Sequence, residues 1–248
     1  MSKVLVLQSF REHAVTSWVG RCRQSVQDWC TLHGYDYVYC GDELFARVPD
    51  WYMDKVSGRL PIATDLARLM WMEEVLAAGE AETVVWLDAD VFVFAPQLFT
   101  VNPDSSCVFG YEYWLQKRDG RAGHKVHKNV HNAYCAFRQG SPVLPFLVET
   151  IQRMVRRVDV DYLPPQFVGP KLLTSLHNIV GFDVDCAAGA ISPDLMQALL
   201  TDNHKLIAQV GWPKPLAAAN LCTSLNSEHD ANMHDLLNVL VEFKSGLT

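Results

Sequence analysis

Residues 83–94 read TVVWLDADVFVF: an apolar run, two aspartates one residue apart, then a second apolar run. An ionised carboxylate buried without a partner is very costly, so acids at the end of such a run need a reason. Strand side chains alternate, which puts Asp88 and Asp90 on one face if the extended geometry runs through them. Two carboxylates on a shared face suit a hard divalent cation, whose remaining ligands are waters and substrate phosphates. The stretch therefore points to a metal–diphosphate site at the end of a strand. The plainer alternative is that both aspartates cap a following turn.

The segments before it set the fold class. Residues 3–8 (KVLVLQ) read as a short buried strand, and 16–33 carry Trp18, Val19, Cys22, Val26, Trp29, Cys30 and Leu32 close to helical spacing. Gly34 stops that helix and YDYVYC follows as a second strand, a β-α-β opening that implies parallel strands. Residues 61–78 (PIATDLARLMWMEEVLAA) form the strongest predicted helix, ended by Gly79. Asp65 and Arg68 are neighbours on it at i and i+3, either as an ordinary surface ion pair or as an Arg fork aimed at phosphate or ribose.

Downstream, 108–114 (VFGYEYW) and 132–138 (NAYCAFR) have strand character, and 142–158 reads as a helix. Residues 116–131 (QKRDGRAGHKVHKNVH) are polar, basic and glycine-containing, so a mobile loop is expected there. His124, His127 and His131 would suit zinc only if they converged on a helix, and the glycines argue against that. Arg118, Arg121, Lys125 and Lys128 fit a basic lid or a solvated loop. Tyr111, Glu112, Tyr113 and Trp114 could form a platform for an acceptor or pack in the core. Trp18, Trp29, Trp71 and Trp86 are expected in the core. The last predicted element, HDLLNVLVEF, suits a closing strand or helix.

Composition narrows the class. The chain has 248 residues, 49% of them apolar and 20% charged, enough for one α/β domain over 1–248. A net charge of −7 argues against a general nucleic-acid binder, leaving nucleic acid only as an unexpected acceptor. Seven cysteines without a Cys-x-x-Cys pair do not form a disulfide framework. Cys107, Cys135 and Cys186 read as reduced thiols among apolar neighbours. No signal peptide or apolar run of spanning length is evident, so a cytoplasmic protein, or one peripheral to a membrane, is expected.

Taken in order, PIATDLARLMWMEEVLAAG, TVVWLDADVFVF, HNAYCAFRQGSPVLPFLVETI and VGPKLLTSLHN resemble the GT-A-type glycosyltransferases. Within these they are similar to the group whose sugar-binding region carries a D-x-D motif, such as polysaccharide-type glycosyltransferases and clostridial toxin glucosyltransferase domains. The resemblance covers about residues 60–180. It implies a Rossmann-like domain with a mixed, mainly parallel central sheet flanked by helices, residues 1–100 binding nucleotide sugar and 101–248 facing the acceptor.

It also implies transfer of a sugar from a nucleotide-diphosphate donor, UDP by preference, to a hydroxyl acceptor with Mn2+ or Mg2+ and with retention. Asp90 would bind metal and Asp88 metal or ribose, with Ala89 between these two as a donor contact, and Asp65 and Arg68 would hold the sugar and phosphates. Asn132 would face the transferred sugar or the acceptor, and Gly169 and Pro170 the pocket wall; Thr174 reads as a helix residue. Gln8, Ser9 and Phe10 would lie near the base, because ligands sit beyond the carboxyl ends of parallel strands. Glu112 is the candidate general base should the reaction invert. Family members commonly add a His from a C-terminal segment; here LAAANLCTSLNSEHD has Asn220 at that place, with Ser224, Asn226 and His229 as other candidates. A nucleotidyltransferase of related fold is disfavoured, because SFREHAVTSW has no glycine-rich, lysine-containing phosphate loop. A non-catalytic nucleotide-sugar-binding subunit is the remaining alternative.

Overall fold

The structure, a computed structural model, describes residues 3–11, 17–102, 104–159, 164, 166–222, 230–243 and 245–248. The β-α-β opening is present as β1 (Val4–Ser9), α1 (Ser17–His33) and β2 (Asp36–Cys40). Helices α2 (Asp50–Lys55) and α3 (Leu60–Ala77) lead to β3 (Thr83–Leu87), which lies parallel to β1 on the side away from β2. The order β2-β1-β3 thus reverses direction at β1, making a crevice beyond the carboxyl ends of β1 and β3.

These strands are covered on both faces, which explains their unbroken apolar sequences. Val4, Val6, Val85 and Leu87 pack with Trp18, Val26 and Trp29 of α1 on one face. Leu5, Leu7, Val84 and Trp86 pack with Leu66, Trp71 and Met72 of α3 on the other. Trp18, Trp29, Trp71 and Trp86 are all buried, as expected. The Trp29 indole also donates to the Phe99 carbonyl (2.6 Å), satisfying its only polar atom. Gly79 (φ 69) stops α3 in the left-handed region that favours glycine.

The stretch 83–94 is two strands, which corrects the single strand expected. β3 ends at Leu87, and after a turn β4 (Val91–Val93) joins a second sheet ordered β4-β9-β8, with β8 at Ala188–Ala190 and β9 at Ala218–Asn220. The Val91 N–H donates to the Asp88 carbonyl (3.0 Å), closing a four-residue turn. Aspartate favours the first position of such turns, so side-chain chemistry overrides the apolar pattern on either side.

The loop expected over 116–131 is also corrected. Cys107–Lys117 (β5) and His124–Arg138 (β6) form one long antiparallel hairpin, with only the segment between them turning. Its polar sequence marks a sheet extension with solvated positions, because pairing needs backbone groups rather than apolar side chains. His124 and His127, three apart on a strand, point to opposite faces, so the three histidines do not converge.

The central sheet runs β2-β1-β3-β6-β5-β7, with β7 at Asp183–Asp185, and three of its five junctions are parallel. The mixed sheet flanked by helices agrees with the expected fold class. Helices α4 (Val143–Arg157), α5 (Pro170–Val180), α6 (Pro193–Leu200) and α7 (His204–Ile207) follow, and HDLLNVLVEF falls mostly within a last helix, Asp230–Glu242. Cys107 and Cys135 are buried and Cys186 is partly exposed; all three are free thiols.

Between Phe109 and Gly110 the β5–β6 register shifts at a bulge. A Cβ at Gly110 would stand 2.3 Å from the His131 ring and 3.0 Å from the Ala188 carbonyl. Gly110→Ala should therefore lower stability by about 1–3 kcal/mol through overpacking, seen as a reduced urea midpoint with an unchanged slope.

Candidate active site

The turn between β3 and β4 presents both aspartates half-buried at the crevice, with Ala89 buried between them. Asp88 still belongs to the large sheet through its N–H, which donates to the Ala133 carbonyl (2.8 Å). Asp90 belongs to the small one: its carbonyl accepts from the Leu221 N–H (3.0 Å). The two acids straddle the seam between the sheets.

Asp88 is held from below by Arg68. Its Oδ1 accepts from the Trp86 indole (2.7 Å) and faces Arg68 Nη1 at 2.9 Å. The same Nη1 donates to the Asn132 carbonyl (2.6 Å), and Nη2 lies 3.3 Å from Asp65 Oδ1. Asn132 Nδ2 donates to that Asp65 oxygen (2.7 Å), and the guanidinium sits 5.2 Å over the Trp86 ring. Arg68 and Asp65 are only 4% and 6% exposed, so the surface ion pair is excluded. Burial outweighs the Arg68 and Asn132 attractions and pushes the Asp65 carboxyl up to about 6. For Arg68 the two carboxylates outweigh burial and raise its pKa, keeping it charged.

Asp90 is held from the side by Asn220, whose Nδ2 donates to Oδ1 (3.0 Å). The Asn220 Oδ1 in turn accepts from the Cys222 N–H (2.6 Å), while Cys222 adopts φ 52. Burial, then the negative charges of Asp90, Glu112 and Asp88, push the Cys222 thiol well above its ordinary range. Glu112 lies on β5 opposite Asn129, three residues along β6 from Asn132. The Val93 N–H donates to Ser25 Oγ (3.0 Å), which sets α1 against β4, and Cys22 on that helix is pushed up by burial and then by Asp90.

The remaining residues fall around this centre. Gln8 is fully buried; its Nε2 donates to the Asp88 carbonyl (3.2 Å) and its Oε1 accepts from the Tyr37 hydroxyl (2.9 Å). The Ser9 hydroxyl donates to the Gly41 carbonyl (3.1 Å), and the Phe10 carbonyl accepts from Tyr39 (2.8 Å). Gly169 abuts Asp65, where a Cβ would lie 2.7 Å from Oδ2, and Pro170 opens α5. Thr174 is a helix residue, as read, with its Oγ1 accepting from the Val130 N–H (3.0 Å). Glu112 accepts from Asn129 Nδ2 (3.0 Å). Ser224, Asn226 and His229 lie outside the described residues.

Three participants escaped the sequence reading. Trp86 was expected only as core, although its position two before Asp88 on the same strand face could have shown it. Asn129 and Cys222 carry no motif and are found only through β pairing and the Asn220 turn. Among the described residues no group of three or more His, Cys, Asp or Glu is arranged to hold a metal ion. The donors at hand among the described residues, two half-buried carboxylates with a thiol held protonated nearby, match hard-cation chemistry in which substrate phosphates and waters complete the shell.

No protein-family model and no curated protein matches the chain. Among solved structures it is similar to a glycosyltransferase involved in the glycosylation of the major capsid of PBCV-1, at 12% identity over 93% of this chain and 98% of that one, TM-score 0.47. It is also similar to a protein from STIV, at 12% identity over 72% and 78%, TM-score 0.33. At these TM-scores neither likeness adds weight to what the chain's own residues show.

Replacing Arg68 removes the buried cation that answers the buried Asp65 and the half-buried Asp88, so Arg68→Ala should cost about 3–5 kcal/mol in denaturant unfolding. Lysine lacks the planar fork and should not restore it. Asp65 makes a pH prediction. Because its folded pKa, about 6, exceeds the ordinary 3.8, its stabilising contribution is full below 3.8 and is lost as pH rises through about 6. The stability of the wild type relative to Asp65→Asn should therefore fall between pH ~4 and ~7; a constant difference across that range would reject the raised pKa.

Proposed function

We propose that the chain is a glycosyltransferase that moves a sugar from a nucleotide-diphosphate donor, UDP by preference, to a hydroxyl acceptor. One observation carries this reading. Asp88 and Asp90 stand on a hydrogen-bonded turn at the point where strand order reverses beyond β1 and β3, the place where open α/β sheets take nucleotide ligands. A buried cation, an indole and an asparagine amide fix the two carboxylates before any ligand arrives, the preorganisation that stabilising a charged leaving group requires.

Asp90 would hold Mn2+ or Mg2+, with Asp88 beside it contacting the ion or the ribose. With the cation bound, the negative charge growing on the leaving diphosphate is neutralised. Arg68, engaged by Asp65, Asp88 and Asn132, acts by holding Asp88 and the β6 backbone in register. Gln8 fixes the Asp88 carbonyl from the end of β1, and Asn220 sets the angle of the Asp90 carboxylate. In the retaining course favoured here, the bond from the anomeric carbon to the acceptor oxygen forms as its bond to phosphate breaks. The acceptor proton passes to the departing phosphate oxygen. In an inverting course Glu112 would take that proton instead.

A second reading, a non-catalytic nucleotide-sugar-binding subunit, is favoured by Asn220: its amide nitrogen, not an oxygen, faces Asp90. A panel of nucleotide sugars with and without Mn2+ separates the two. A donor that raises Tm only with the ion, and is hydrolysed or transferred, supports the enzyme. Asp90→Asn should reduce that turnover by at least 100-fold, on the order of the 2.7 kcal/mol typical of one lost electrostatic contact, with the melting transition retained. Metal-independent binding without turnover would instead establish the subunit, and undiminished turnover in Asp90→Asn would reject the site.

A further inference from the structure

The β5–β6 hairpin continues well past Gly110, where pairing with β7 ends. Residues directly opposite each other in an antiparallel pair share a face, and that face recurs every second residue. The register pairs Glu112 with Asn129, Trp114 with His127, and Gln116 with Lys125, so these six form a row on one face. The other face takes Tyr113 and Leu115, both buried. The six are half-buried or exposed. Of the four residues Tyr111–Trp114 considered as a platform, the fold therefore offers Glu112 and Trp114 and adds three polar partners from β6 together with Gln116.

This row starts at the candidate active site. Glu112, at its inner end, is paired with Asn129, three residues along β6 from Asn132, whose amide and carbonyl meet Asp65 and Arg68, whereas the next pair inward on that face, Gly110 and His131, is closed off by Ala188 of β8. From Glu112 to Gln116 the strand rises about 13 Å, longer than a single sugar ring. The chemistry along it is specific in kind. An indole plate is flanked by a carboxylate–amide pair (3.0 Å) on one side and by an amide and an ammonium on the other. A pyranose offers the matching surfaces, an apolar C–H face and a rim of hydroxyls that both donate and accept. The row lacks the aliphatic stripe that an amphipathic helix would seek, and one carboxylate beside one ammonium gives no net charge for a polyanion.

We infer that this face is the acceptor subsite and that the acceptor is a carbohydrate chain, lying along the hairpin with its reacting hydroxyl beside Glu112. The inference rests on the glycosyltransferase reading and adds to it the class of acceptor. Trp114 supplies stacking, Glu112 and Asn129 orient the terminal sugar, and Gln116, His127 and Lys125 contact sugars farther from the reacting end.

The test uses the full chain without donor. Cellotetraose, maltotetraose, chitotetraose and mannotetraose, each beside its monosaccharide, are screened for binding on a carbohydrate array and then by calorimetry. At least one tetrasaccharide should bind more tightly than its monosaccharide. Trp114→Ala should weaken it tenfold or more, Trp114→Phe should restore most of the affinity, and nucleotide-sugar binding should be unchanged in both. His127→Ala, on the partner strand, gives an independent loss of affinity should Trp114→Ala fail to fold. No tetrasaccharide preference, or equal binding by Trp114→Ala and His127→Ala, overturns the subsite. Oligosaccharide binding in a protein that takes no nucleotide sugar would uphold the surface while removing sugar transfer; the converse would do the opposite.

Discussion

A guanidinium buried in an α/β core must be answered by acceptors, and at Arg68 those acceptors come from three different elements. Asp65 lies one turn earlier on α3, Asp88 follows β3, and the Asn132 carbonyl belongs to β6. Removing a charge from water is unfavourable unless such a set is complete, so the cation ties the helix, the strand end and the neighbouring strand into one geometry. The Trp86 indole completes the cradle by donating to the same Asp88 oxygen that faces Arg68. Gly169 has no side chain because Asp65 occupies that space. What looks like an acid pair at a strand end is the exposed tip of a buried polar network.

The second constraint is the seam between the sheets. β3 and β4 are separated by three residues yet lie in different sheets, so the chain must turn sharply where the aspartates stand. Asn220 sits at the end of β9, paired with Val91, and its side chain reaches both Asp90 and the Cys222 backbone. The left-handed conformation of Cys222 costs on the order of 1 kcal/mol or more and persists because the Asn220 turn and the surrounding packing hold it. This strained residue follows Asn220 where β9 pairs with β4, beside the Asp90 that the same asparagine holds.

Sequence reasoning succeeded where local pattern and long-range packing agree. The helix over 61–78, the strand at 3–8 and the first half of the strand read over 83–94 are apolar in a way that only burial on two faces satisfies, and the Gly79 stop of the helix is local chemistry. It failed at 116–131, where the ladder with β5 supplies the backbone partners and no apolar periodicity is needed to keep the strand in place. Continuing the strand through Asp90 failed for the opposite reason: strong apolar runs on both sides hid a turn that two aspartates favour. Within the candidate site, Asp65, Arg68, Asp88 and Asp90 were legible because charged residues inside apolar segments demand partners.

By itself the sequence determined the β-α-β opening, the mixed α/β class and the presence of acids and an arginine in apolar segments, since all of these follow from spacing along the chain. Only the tertiary structure decided which partner each charge has. Arg68 turned inward to Asp65 and Asp88, Asn220 came to Asp90 from 130 residues away, and the hairpin register set Glu112 and Trp114 on one open face. Such pairings depend on how strands and sheets are ordered, and nothing in local spacing records that order.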